Sequence, residues 1–288
     1  MKELKSINVA TLGEAPTSRR RISYPLLERY CIAPVSRWKQ RLPRIIVEGL
    51  TDVFAYPIYV YGIENLDTTQ KLTMEGKKIV MFSNHLSWAD PPVTMAALKR
   101  NGFAEMAEMI TTIAGVKLHT DPVRNFLGAP YDVIPIWSPF TEPKNQKEKE
   151  IRLQMHKKAL RKAEETLKIG RHLLAYPEAT RSRTQKLTIG QPGITHYLTL
   201  VENTFVLPIG IYGTEKILPV GAWLPDGNKA SVTFGEPIEV ASVEKMFEHI
   251  KNREERRRLI VDYFMYRIAN CLPKNSQGVY ERVYEHAA

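Results

Sequence analysis

Cysteine is nearly absent from the chain: only Cys31 and Cys271 occur in 288 residues. They lie far apart and match no metal-ligand spacing, and their scarcity fits a reducing compartment. The seven histidines are scattered rather than clustered, so no bound metal is expected. A clean membrane span is also missing, because Glu48, Asp52 and Pro57 interrupt the apolar stretch from Ile45 to Ile63. The N-terminus is polar and has no apolar core of a signal peptide. There is no internal repeat and no low-complexity segment. No nucleic-acid-binding motif appears, and the basic residues are not interleaved with aromatics, so nucleic acid is not an expected partner.

What is present is enough apolar residue, 43%, to bury a core in one large α/β domain with an extension, or in two domains. The formal charge of +10 is unevenly placed. Residues 1–50 carry ten Lys/Arg against four Asp/Glu, residues 144–171 repeat those counts, and the remainder is slightly acidic. Two basic segments on an otherwise balanced chain point to anionic partners: membrane phospholipid, or an acidic carrier or cofactor.

Residues 1–18 read as a tail, followed by Arg19-Arg20-Arg21. Tyr24 to Lys39 reads as a helix, and Pro43 opens a second one. On that helix Ile46, Val47, Leu50, Val53 and Phe54 share one side, with Glu48 and Asp52 opposite. An amphipathic pair with Trp38 and arginines suits a membrane interface, and packing on the domain core is the other reading. Residues 64–77 are polar and read as a connector. Strands are expected over Lys78–Phe82, Val133–Trp137, His172–Tyr176, Thr204–Gly213 and Ala230–Phe234. Pro208 argues against a regular ladder in the fourth of these. Helices are expected over Val93–Ala104, Asn125–Gly128, Lys147–Lys168, Thr195–Val201 and, as one long region, Val243–Cys271. Phe103 to Pro122 shows no clear period. Alternating strands and helices imply a mixed central sheet flanked by helices.

The most informative stretch is Met81-Phe82-Ser83-Asn84-His85-Leu86-Ser87-Trp88-Ala89-Asp90-Pro91-Pro92. An apolar strand leads in and a helix leads out, with Asp90 suited to the N-cap and Pro91 to the first helical position. His85 thus sits in a strand-to-helix turn, where α/β folds place chemistry. On a continuous helix five residues would separate His85 and Asp90 by about 140°, but a turn that wraps back lets the carboxylate reach the imidazole. A carboxylate on one ring nitrogen fixes the tautomer and strengthens the other as a base, which is what removing an alcohol proton requires. The bland alternative is a turn histidine beside a capping aspartate. No nucleophile is evident, and Ser87 is not read as one.

A second stretch, Pro177-Glu178-Ala179-Thr180-Arg181-Ser182, follows about 90 residues later. The ordered pair, Asn84-His85-x4-Asp90 and then Pro177 to Ser182, resembles the glycerophospholipid acyltransferase family of the lysophosphatidic acid acyltransferase type, from about Lys78 to Glu236. The resemblance implies a glycerolipid acyltransferase-like α/β fold. It implies transfer of a fatty acyl group from acyl-CoA or acyl carrier protein to a lysophospholipid hydroxyl, with 1-acylglycerol-3-phosphate giving phosphatidic acid. His85 would be the general base oriented by Asp90, and Arg181 the phosphate clamp, with Glu178 and Thr180 lining the same site. Glu178 is expected to hold Arg181 or accept from a glycerol hydroxyl. No cofactor is expected, since the thioester donor is a substrate.

Three positions depart from the family's pattern. The segment after the Val133–Trp137 strand usually ends in an arginine that helps bind the acceptor's phosphate, and here Trp137 or Ser138 occupies that place. Ala179 stands where glycine is usual, and Ile189-Gly190-Gln191-Pro192-Gly193 replaces a lysine-rich turn. The acceptor therefore stays open to glycerol-3-phosphate, another lysophospholipid or a glycolipid, and a non-catalytic basic membrane-binding protein is the reading from another class. The expected organisation is a basic, amphipathic membrane-associating segment over 1–63, a catalytic domain over 64–240 and a helical extension over 241–288. The expected location is peripheral, on the cytoplasmic face of an anionic membrane.

Overall fold

In the computed structural model the described residues are 37–116, 128, 131–219 and 226–281, with residues 37–44 described by backbone alone. The tail, the helix expected over Tyr24–Lys39 except its last three residues, and all of the Asn125–Gly128 helix but its last residue lie outside them. Residues 37–39 continue through Pro43 as one helix with the segment expected to start there.

The run Lys78–Ser83 is apolar at almost every position because it is buried on both faces, as a central parallel strand must be. This strand, β2, sends Val80 and Phe82 into one core cluster and Ile79 and Met81 into the other. The other strands are β1 (Ile58–Tyr61), β3 (Ile110–Gly115), β4 (Asp132–Ile136), β5 (His172–Ala175), β6 (Thr204–Tyr212), β7 (Ala230–Phe234) and β8 (Ile238–Glu239). They form one sheet in the order β1-β7-β6-β2-β5-β3-β4, with β8 also paired to β6. From β6 to β4 neighbouring strands are parallel, whereas β7 runs antiparallel to β6. The sheet is mixed and helix-flanked, as expected.

Helices cover both faces: α1 (Arg37–Phe54), α2 (Ile63–Met74), α3 (Asp90–Arg100), α4 (Ala104–Glu108), α5 (Gln146–Lys168), α6 (Thr214–Ile217), α7 (Val240–Met246) and α8 (Arg253–Asn270). One core joins α5, α7 and α8 to the sheet, with Phe82 edge-on to Phe264 at 5.8 Å. The other joins α2, α3 and α4. Full burial of side chains of this size contributes about 1.5–3 kcal/mol each, so the stripe Ile260, Phe264 and Ile268 makes α8 part of the core. The boundaries expected at 63/64 and 240/241 both cut this packed unit, since β1 precedes the first and α8 follows the second.

Several elements differ from expectation for physical reasons. The polar 64–77 segment is mostly helix α2, anchored through Leu66 and Thr69, too few buried positions to show a period. β3 was hidden by its threonines, two of which are buried inside the sheet. The 195–201 helix is instead a 3-10 turn over Pro192–Tyr197. The region from Val243 to Cys271 breaks in two, because Asn252 caps a new helix by accepting from Glu254 and Glu255 N–H. Pro208 does sit in a central strand. It falls where β6 changes partner from β8 to β7, a ladder break that tolerates a residue without N–H.

The amphipathic helix α1 turns only part of its apolar side toward the domain. Val47 and Thr51 are buried, and the partly exposed Glu48 and Asp52 pair with Lys99 and Arg100 at the end of α3. Ile45 and Val53 are 67% and 70% exposed, with Ile46 and Leu50 beside them. The apolar side expected as one face is therefore split, and most of it points outward.

Gly210 on β6 faces the α8 C-terminus, where an added Cβ would lie 2.2 Å from the Cys271 carbonyl oxygen. Backbone cannot swing aside, so Gly210→Ala is expected to destabilise by about 2–3 kcal/mol, read as a lower urea midpoint. An unchanged midpoint would show that α8 is not seated this closely.

Candidate active site

Because β2 and β5 are parallel neighbours, the turns after them emerge at the same sheet edge. That juxtaposition brings residues 84–90 and 176–183 together, the place where open α/β sheets build sites.

The first turn is held by side chains acting as backbone. The Asn84 amide donates to the Ile211 carbonyl and accepts from Ile211 N–H, both at 2.8 Å. It thereby extends the β2–β6 ladder one step beyond Ser83. His85 then leaves the sheet with its Nδ1 2.7 Å from Asp90 Oδ2. The same oxygen accepts from Leu86 N–H at 2.7 Å and Ser87 N–H at 2.9 Å. Asp90 is fully buried, whereas His85 is 21% exposed, so the imidazole is the member of the pair that meets solvent. With Nδ1 on the carboxylate, Nε2 is the nitrogen left to accept a proton.

Asp90 is not the N-cap expected of it. The cap position is Ala89, and the carboxylate turns back to the preceding loop instead of to the helix N–H groups. Ser87 is buried, its Oγ donating to the Leu218 carbonyl at 2.7 Å and accepting from Ala89 N–H, so it is not presented as a nucleophile.

The second turn reaches the first through Glu178. One carboxylate oxygen accepts from His85 N–H at 2.8 Å, and the other accepts from Thr188 N–H and Oγ1–H at 2.9 and 2.7 Å. Ser182 N–H closes the link by donating to the His85 carbonyl at 2.7 Å. Glu178 thus sews the two turns together. Arg181 lies over the Trp88 ring, its guanidinium carbon 5.0 Å from the centroid, which brings a cation to the His85 turn. Thr180 is exposed beside it. Ala179 takes φ 54°, the left-handed conformation that explains glycine's preference here and costs a residue with Cβ about 1–2 kcal/mol.

Tyr176 was not anticipated as a site residue. Its ring stacks on His85 with centroids 4.1 Å apart and planes 22° from parallel. The hydroxyl is buried with no hydrogen-bond partner among the described residues, and burial, with Asp90 and Tyr131 nearby, pushes its pKa well above the ordinary phenol value. At the far side, Trp137 does not leave its place to a free cation. Arg152 of α5 lies 4.3 Å over its ring, already engaged by Glu148 and by the Thr141 and Glu142 carbonyls. Among the described residues no cluster of three or more His, Cys, Asp or Glu side chains is placed to hold a metal.

With this geometry in place, comparison with known proteins gives a family. The family described as Acyltransferase matches residues 57–212, from just before β1 to the end of β6 and more than half of the chain. The chain belongs to the acyltransferase family, in agreement with the resemblance carried by His85, Asp90 and the 177–182 segment. Among solved structures, the 1-acyl-sn-glycerophosphate acyltransferase PlsC of Thermotoga maritima is similar at 20% identity, over 83% of each chain, with a TM-score of 0.47. No curated protein matches.

Burial raises the Glu178 carboxyl to about 7 from 4.5, against the opposing pull of Thr188 and the His85 N–H. A carboxyl raised on folding contributes stability that is complete below its unfolded value and is lost as pH rises through the folded one. Wild-type unfolding free energy is therefore expected to fall by up to about 3 kcal/mol between pH 4.5 and about 7. Glu178→Gln should flatten that slope. Identical slopes in denaturation series of the two proteins would rule Glu178 out as the titrating group.

Proposed function

We propose that the protein is a membrane-associated glycerolipid O-acyltransferase that moves a fatty acyl group from acyl-CoA or an acyl carrier protein to a lysophospholipid, with 1-acylglycerol-3-phosphate as the leading acceptor. The observation that carries the reading is the His85–Asp90 pair at 2.7 Å, with the imidazole exposed and the carboxylate buried. The acceptor hydroxyl gives its proton to His85 Nε2 as its oxygen attacks the thioester carbonyl. The C–O bond forms, the C–S bond breaks, and the imidazolium returns the proton to the departing thiolate. Asp90 acts through His85 as a positioning residue, stabilising the imidazolium while it exists. Arg181 supplies the charge for an acceptor phosphate, since guanidinium pairs with phosphate oxygens in bidentate fashion.

A second acceptor class is kept for a specific reason. Arg152, the cation beside Trp137, is already committed to Glu148 and two carbonyls, so one fewer free positive charge serves a dianionic phosphate. An acceptor with a less charged head group, such as another lysophospholipid or a glycolipid, fits that arrangement.

His85→Ala is expected to lower turnover at least about 100-fold with the fold intact. Arg181→Ala should raise the acceptor KM far more than the donor KM. Both are read in a thioester-release assay over a panel of lysolipids, glycerol-3-phosphate and a glycolipid. More than a tenth of wild-type turnover in His85→Ala would defeat the base assignment, and the panel itself decides the acceptor.

Peripheral attachment to an anionic bilayer is supported by the basic N-terminal segment and by the outward apolar face of α1, continued by Tyr56, Tyr59 and Tyr61. Among the described residues no helix is long and apolar enough to cross a membrane. Ile45→Ser with Val53→Ser is expected to weaken sedimentation with anionic vesicles severalfold, while activity on a short-chain soluble acceptor changes little. Equal sedimentation of variant and wild type would place the membrane contact elsewhere.

A further inference from the structure

Asp90 has four hydrogen-bond donors, and they divide unequally between its oxygens. Oδ2 takes His85 Nδ1, Leu86 N–H and Ser87 N–H, all from the turn that Asp90 itself closes. Oδ1 takes Thr214 Oγ1–H at 2.5 Å, from a segment 124 residues later. Among the described residues no other donor reaches Oδ1, and both Asp90 and Thr214 are fully buried.

Thr214 is fixed in this place by the backbone around it. It follows Gly213, which has φ 94° and whose added Cβ would meet the Lys229 carbonyl oxygen at 2.4 Å, so only glycine makes the turn. On either side of it the chain is pinned to the histidine turn, by Asn84 on Ile211 and by Ser87 on Leu218. The family match ends at residue 212, two positions before this residue.

We propose that Thr214 is a positioning residue for the His85 base, holding the Asp90 carboxylate in the plane that keeps Oδ2 on Nδ1. The proposal rests on the acyl-transfer reading of the site. A carboxylate turns about its Cβ–Cγ bond unless both oxygens are engaged. Removing the Thr214 hydroxyl leaves a buried, charged oxygen with no protein donor, which is costly where water has no access. The carboxylate then turns to share its remaining donors, and Nδ1 loses its partner. The imidazole proton is no longer confined to Nδ1, and the tautomer with its proton on Nε2 cannot accept one there from the acceptor hydroxyl.

The test compares Thr214→Val, which keeps the branched shape without the hydroxyl, with Thr214→Ser, which keeps the hydroxyl. Thr214→Val should lower kcat about 10- to 100-fold, as for loss of a hydrogen bond to a charged group, with both KM values within about twofold of wild type. Thr214→Ser should recover to within about threefold. Nitrogen-15 NMR of the His85 ring gives a readout that needs no turnover. The wild type and Thr214→Ser should hold the proton on Nδ1, and Thr214→Val should populate the Nε2-protonated form. If Thr214→Val does not fold, Thr214→Cys, a weak donor of similar size, carries the same two measurements. Unchanged ring tautomer with kcat within twofold of wild type would overturn the proposal. A tautomer change in a protein whose wild type transfers no acyl group would leave Thr214 in its role and remove the acyl-transfer reading instead.

Discussion

Glu178 is the point on which the rest of the site depends. A carboxylate buried this completely is expensive unless each oxygen is matched to a donor, and here it is matched by groups from two separate turns. The main-chain N–H of His85 is one of them, so the position of the base is set partly by a residue in the turn after the neighbouring strand. The link is main chain to side chain, which means the identity of residue 85 does not enter into it. The two turns would remain joined around any residue but proline at that position, and a binding site could outlast the loss of its chemistry.

The sheet explains why motifs 93 residues apart in sequence act as one. Parallel neighbours deliver their exits to a common edge, and the long helix α5 is the crossover that lets β5 run parallel to β2 and β3. On the other flank β6 runs nine residues, binds β2 along one side and β8 and then β7 along the other, and ends against Asn84. The edge of the site furthest from the second motif is thus built by a strand that contributes no reacting group.

Elements with strong patterns were legible from the sequence. β2, α5 and β7 lie within a residue or two of where apolar runs and four-residue spacing put them, because burial there is what fixes the residue types. β3 was not legible, since its buried threonines satisfy the sheet without an apolar signature. The His85–Asp90 contact followed from the strand–turn–helix setting. The role of Glu178 did not, because its partners are N–H groups, which every residue but proline possesses. Thr188 and Thr214 were missed for a related reason: a single hydroxyl carries no spacing rule, and only the folded chain shows which carboxylate it meets. For α1 the membrane-facing and core-packing readings both stay open at the sequence level, because periodicity shows that a helix has two faces and not which one turns inward. The ion pairs to Lys99 and Arg100 decide that.

Those ion pairs give α3 a second meaning. Its first turn holds Asp90 and its last holds Lys99 and Arg100, so one short rod joins the reacting centre to the helix whose apolar side faces out. Eleven residues at 1.5 Å span about 16 Å. Each residue added or removed between Asp90 and Lys99 would also rotate the far end by about 100°. The direction in which α1 presents its apolar side, relative to the His85 imidazole, is therefore written as a helical phase in the residue count of α3. Substitutions along the rod leave that phase alone, whereas a single insertion would shift it, along with the buried side of α3 that packs in the core.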